Sequence, residues 1–125
     1  VGAGFETAVA SAQRALVVTT PDMVCARDAQ IVSRLLEDRQ VPARLLINRL
    51  RARPVMAGRM PDVDEIIDTA GLQLLGILPE DEAVAVANAN GRPLPSDCYA
   101  AACFGNIARR FLGEQVPLAN LEKMI

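Results

Sequence analysis

Histidine and tryptophan are missing from the 125-residue sequence, and its one lysine, Lys123, stands close to the end. Without histidine, the commonest general base, metal ligand and triad member is gone. Without an internal lysine, no phosphate-binding P-loop can be assembled. That loop needs an ammonium beside a glycine-rich turn to reach the β and γ phosphates. Aromatic residues are only 3% of the total, so the core has to be built from Leu, Ile, Val and Ala packed between regular elements. The cysteines, Cys25, Cys98 and Cys103, are odd in number and include no CxxC pair. This argues against a disulfide framework or a zinc site and fits a reducing, cytoplasmic setting. No run approaches the ~20 apolar residues of a membrane span, and the opening VGAGFETAVA lacks the basic start and apolar stretch of a secretion signal.

What is present describes one globular unit over residues 1–125. Apolar residues make up 51% and charged residues 22%, a mix that supports a buried core. A chain of this length buries roughly two thirds of the surface its unfolded form exposes. The net charge of -2 gives no global attraction to nucleic acid or anionic lipid, so binding to either needs a local patch.

Three apolar runs, 15–20 (ALVVTT), 43–48 (ARLLIN) and 72–78 (LQLLGIL), are unbroken rather than alternating, as strands covered on both faces should be. Helical patterns separate them. Val24, Cys25, Ile31, Val32, Leu35 and Leu36 recur one or two turns apart, and Val63, Ile66, Ile67 and Ala70 form a second apolar stripe. Asp62, with Glu65 three residues on, starts this second helix in capping-box fashion, and Gly71 is placed to end it. A last helix begins after Ser96 and ends near Gly113, with Ala100, Cys103, Phe104, Ile107, Ala108 and Phe111 on its apolar face and Asn106, Arg109 and Arg110 outside. Helices over 3–13 and 81–89 complete the order α β α β α β α α. Such alternation predicts an α/β fold: a partial parallel sheet of about three strands with helices on both faces.

Ligands of parallel sheets bind beyond the carboxyl ends of the strands, here TTPD, INRLR and LPEDE. An asparagine there, Asn48, can accept from the adenine N6 amino group and donate to N7, a bidentate match to that base edge. It can equally satisfy loop backbone. Pro79 can wall a base or simply punctuate the strand end. Glu80, Asp81 and Glu82 read first as acids favoured in the first turn of a helix, since no partner base or metal-ligand set accompanies them. The basic stretch around Arg49, Arg51, Arg53 and Arg59 lacks aromatics to stack bases and reads as a solvated loop. Gly2-x-Gly4 has no strand before it, so it is a weak nucleotide fingerprint.

Taken in order, GAGFETAVASAQRALVVTTPD, ARDA, LLINRLR, MAGRMPDVDEIID, LLGILPEDEAV, NIARRFLGEQVP and LANLE resemble the second half of the MinD-type, septum-site-determining ATPases, in the wider MinD and ParA group of dimeric P-loop ATPases. The likeness covers almost the whole chain and rests on shared order and spacing. It implies that Asn48 hydrogen-bonds adenine with Arg49 beside it, and that Pro79, Glu80 and Asp81 form the other side of an ATP base pocket. It also implies that the TTPD to ARDA region, with Arg27 and Asp28, lies toward the dimer partner and the MinC- and MinE-like regulators. Two departures stand out: Met23, Val24 and Cys25 replace a smaller, more polar run, and Arg92 stands where the family usually carries an acid.

By the same resemblance the phosphate loop, switch regions and magnesium ligands precede Val1, and a basic amphipathic helix that anchors the family to membranes follows Ile125. The expectation is a segment that does not hydrolyse ATP by itself, and whose unpaired sheet edge favours a homo-oligomer. Two other readings stay open: a ParA-like DNA-segregation segment using the arginine loop, disfavoured by the charge, and a non-catalytic protein-interaction module.

Overall fold

In the computed structural model, which describes residues 2–124, the three apolar runs form one parallel sheet in the order β1-β2-β3. Val1, the first residue of the VGAGFE stretch, and Ile125 lie outside the described residues. The elements are α1 (Ala3–Ser11), β1 (Ala15–Thr19), α2 (Met23–Asp38), β2 (Ala43–Leu50), α3 (Ala52–Met56), α4 (Val63–Ala70), β3 (Leu74–Pro79), α5 (Glu82–Ala89) and α6 (Tyr99–Phe111), followed by a 3₁₀ turn over Leu121–Met124. The predicted class holds.

Alternation along the strands sends side chains to two layers. Val17, Leu45 and Ile47 join Ala26, Ala29 and Leu36 of α2 and Ile66 and Ala70 of α4 in the main core. Leu46 and Leu78 face the other way, onto Cys103 of α6 with Tyr99 and Ile107 beside it. Gly76 is what lets α6 come so close: a Cβ built there would overlap Ile107 Cγ1 and stand 3.0 Å from its Cδ1. Burial holds the Cys103 thiol's pKa above its ordinary value.

Helix boundaries follow side-chain chemistry. Asp62 accepts from the Glu65 N–H at 2.9 Å, and Gly71 ends α4 in the left-handed region at φ 72°, as their positions predict. At the end of β1, Asp22 caps α2 by accepting from the Cys25 N–H at 2.8 Å, while the Thr20 hydroxyl donates to its other oxygen at 2.7 Å. Those two bonds hold the Asp22 carboxyl below its ordinary pKa of 3.8.

Several expectations need correction. β1 is not covered on both faces: Leu16 and Val18 are 47% and 58% exposed, because among the described residues no helix lies over that side of the edge strand. The buried stripe of α2 runs through Ala26, Ala29 and Leu36, leaving Val24 and Ile31 on its outer face. The arginine run is not all loop, since Ala52 and Val55 are buried in α3 and its arginines point outward. On α6, Phe104 and Phe111 are exposed, whereas Arg110 turns inward and donates to Leu75 O and Val116 O, each at 2.6 Å. The first helix stops at Ser11, β2 continues to Leu50, and β3 begins at Leu74 and reaches Pro79.

Candidate functional site

The carboxyl end of β2 is irregular in a way that shapes the molecule's upper rim. Ile47 pairs with Ile77 and Leu50 with Pro79, so β2 takes three residues where β3 takes two. The additional residue is accommodated by a bulge at which Arg49 adopts φ 60°, a left-handed conformation rare for a residue with a Cβ. Asn48 thereby keeps the alternation of Leu46 and stays on the α6 side, while Leu50 returns to the main core at 1% exposure. Arg49 itself is pushed outward.

Asn48, Arg49, Pro79, Glu80 and Asp81 come together around one cleft of about 490 Å³ beyond the ends of β2 and β3. Strand β3 is locked at this rim by the Glu80 N–H donating to Leu50 O at 2.9 Å. The Glu80 carboxylate accepts from Arg49 Nη2 at 2.9 Å and lies 3.7 Å from Arg51 Nε. The two arginine side chains are 66% and 63% exposed and that of Glu80 is 40% exposed, so these pairs orient the rim and add little stability. Asp81 acts as a structural anchor: one oxygen caps α5 by accepting from the Ala83 N–H at 2.9 Å, and the other accepts from the Ala100 N–H at 3.4 Å at the start of α6. Asn48 is half-buried, and among the described residues its carboxamide has no hydrogen-bond partner.

The opposite wall holds residues that the sequence reading did not assign to a site. Asn88 of α5 and Ala100 and Phe104 of α6 line the same cleft. Helical spacing puts Phe104 on the apolar stripe of α6, yet it is 47% exposed. The sequence offers no signal for this, since Cys103 and Phe104 stand three and four residues after Ala100, positions that ordinarily share the apolar face of a helix. Nothing in the sequence around Asn88 marks it. Arg27 and Asp28 lie elsewhere, exposed on the outer face of α2, and the third strand end, TTPD, serves as the cap of that helix. Among the described residues, no group of three or more Cys, Asp or Glu is placed to hold a metal ion, and no helix is long and apolar enough to cross a membrane.

An Asn, a Pro and a Phe around one slot at the carboxyl ends of parallel strands suit a flat, hydrogen-bonding heterocycle. The septum site-determining protein MinD of Bacillus subtilis is 41% identical over 124 residues, which is 96% of this chain and 46% of that protein. The chain is MinD-type. It spans about half the length of the relatives it matches. MinD in the MinC:MinD cell division complex of Aquifex aeolicus superposes with a TM-score of 0.90 at 32% identity, covering 96% of this chain and 51% of that one. MinD of Pyrococcus horikoshii, solved with Mg-ADP, is 22% identical with a TM-score of 0.73 over 85% of this chain and 44% of that one, a likeness of fold. No protein-family profile matches the chain. The MinD-type fold accounts for the parallel three-stranded sheet with helices on both faces.

Proposed function

We propose that this chain is the adenine-binding and partner-facing half of a MinD-like ATPase that takes part in placing the division site. The observation that carries the reading is the convergence of Asn48 and Pro79 on one cleft, with Phe104 opposite. The unpartnered carboxamide of Asn48 can read the N6 and N7 edge of adenine, while Pro79 and Phe104 supply flat apolar surfaces for its faces. Arg49 stands at the mouth, and Asp81, committed to two helix starts, holds the wall in place.

In this reading the triphosphate and Mg are gripped by residues outside this chain, and the segment alone does not hydrolyse ATP. Magnitudes agree. Adenine has about ten heavy atoms, and at ~0.3 kcal/mol each the pocket gives ~3 kcal/mol. That is weaker than the ~4.1 kcal/mol of millimolar binding. The MinC:MinD complex structure supports a MinC-like partner. The outer face of α2, with Arg27 and Asp28 between the exposed Val24 and Ile31, is the surface assigned to regulators, MinE-like ones included. The uncovered edge strand β1 supports self-association. A cytoplasmic protein that reaches the membrane surface only through a segment outside this chain completes the proposal.

The test uses the complete protein with its phosphate-binding half. Asn48→Ala should weaken ATP binding about tenfold, the size of one lost hydrogen-bonded contact, and should erase any preference for ATP over GTP. Unchanged ATP affinity and unchanged base preference would remove the adenine assignment.

A further inference from the structure

At the opposite end of the sheet, where β2 and β3 begin, a second cleft of about 520 Å³ is lined by two guanidiniums, those of Arg44 and Arg110. Arg44 Nη2 donates to Leu74 O at 3.2 Å, and Arg110 donates to Leu75 O and Val116 O. These contacts hold the two arginines along the starting edge of β3. Every acceptor is a backbone carbonyl, a dipole without net charge. Among the described residues neither arginine has a carboxylate partner. Glu114, the one acid in the cleft wall among the described residues, faces Arg109 at 3.3 Å. Arg44 Nε is buried and has no hydrogen-bond partner among the described residues, so this guanidinium is both charged and incompletely satisfied. Gly113, at φ 94°, turns the chain back after α6 so that the segment through Val116 and Pro117 closes the side of the cleft.

Two like charges held at one cleft with only neutral acceptors are electrostatically costly, and a small oxyanion lowers that cost. Guanidinium forks match the geometry of phosphate and carboxylate oxygens, and the N–H groups of Arg110 Nη2 are not used by Leu75 or Val116. We infer that the Arg44–Arg110 cleft is an anion-binding site for a phosphate or carboxylate group, separate from the cleft at Asn48. Its occupation joins the start of β3 to the segment that follows α6, so the anion stabilises the docking of that segment on the sheet.

Inorganic phosphate, acetate and citrate are titrated into the complete protein against sodium chloride of matched ionic strength, reading thermal unfolding and the arginine Nε–H resonances by NMR. Phosphate or citrate should raise the unfolding temperature beyond the chloride control and shift the Arg44 and Arg110 signals at millimolar concentration. Arg44→Gln should weaken that binding about tenfold, one charge-assisted contact, and Arg44→Lys, which keeps the charge and loses the fork, should fall between. A tighter response to phosphate than to the carboxylates assigns a phosphate ligand, and the reverse order assigns a carboxylate. If chloride reproduces the stabilisation, or Arg44→Gln responds as the parent does, the site is refuted. If Arg44→Gln does not fold, the unsubstituted protein decides: anion-induced shifts confined to residues other than Arg44 and Arg110 overturn the inference.

Discussion

Replacing Gly76 by Ala tests how α6 is seated. The added methyl would occupy the space of Ile107 Cγ1, and no rotation of the methyl itself relieves an overlap with a side chain held between helix and sheet. Overpacking of this kind costs ~1–3 kcal/mol. Removing a strand glycine's conformational freedom returns ~0.5–1 kcal/mol. The net loss should be about 1–2 kcal/mol, or a fall of roughly 0.5–1 M in the urea midpoint for a slope near 2 kcal/mol/M. Ile107→Ala alone removes a half-buried side chain and should cost ~1–2 kcal/mol. In the Gly76→Ala background it also removes the clash, so the double variant should be at least ~1 kcal/mol more stable than the two losses added together. Equilibrium urea unfolding of the four proteins completes the cycle. A Gly76→Ala variant as stable as the parent, or strictly additive losses, would refute the packing argument. Because Ala100 and Phe104 ride on α6 and line the upper cleft, the single variant should also weaken nucleotide binding by the complete protein.

At the bulge, Arg49→Gly should be neutral or stabilising by up to ~1 kcal/mol in urea unfolding, because glycine accepts φ 60° without strain, whereas Arg49→Val should destabilise. Asp22→Ala should cost ~1 kcal/mol as a lost helix cap. Since the folded Asp22 carboxyl titrates below 3.8, its contribution is complete above that pH and is lost as pH falls through the depressed value; unfolding curves of parent and variant should therefore converge in acid. Phe104→Ala, at an exposed position, should leave the unfolding midpoint nearly unchanged but weaken ATP binding by the complete protein several-fold, checked by fluorescent-nucleotide titration.

Locally encoded features were legible. The Asp62 and Gly71 boundaries of α4 depend on residues within one turn, and the three strands announce themselves as apolar runs. Parallel order placed Asn48 and Pro79 on one rim, whereas Arg49, Glu80 and Asp81 joined them as site residues only through the family resemblance. Features set by neighbours were hidden. An edge strand and a central one can carry the same apolar run, so the bare side of Leu16 and Val18 is invisible until the strand order is known. Pro54 disguised α3, although it sits in the first turn, where a missing N–H costs nothing. Arg110 looked like a surface residue because helix periodicity does not reveal that carbonyls at the start of β3 lie within its reach.

Between Ile47 and Leu50 strand β2 holds one residue more than the facing stretch of β3, with Arg49 in the left-handed conformation, and the opposite shift between Leu45 and Leu46 makes the two strands equal over the whole pairing. Without Arg49, Asn48 would stand opposite Leu78 and Leu50 opposite Pro79, and the ladder would run regularly only from Leu46 onward, leaving the shift between Leu45 and Leu46 uncompensated. The bulge thus turns the Arg49 guanidinium outward over the rim, where it meets Glu80 at the wall of the upper cleft.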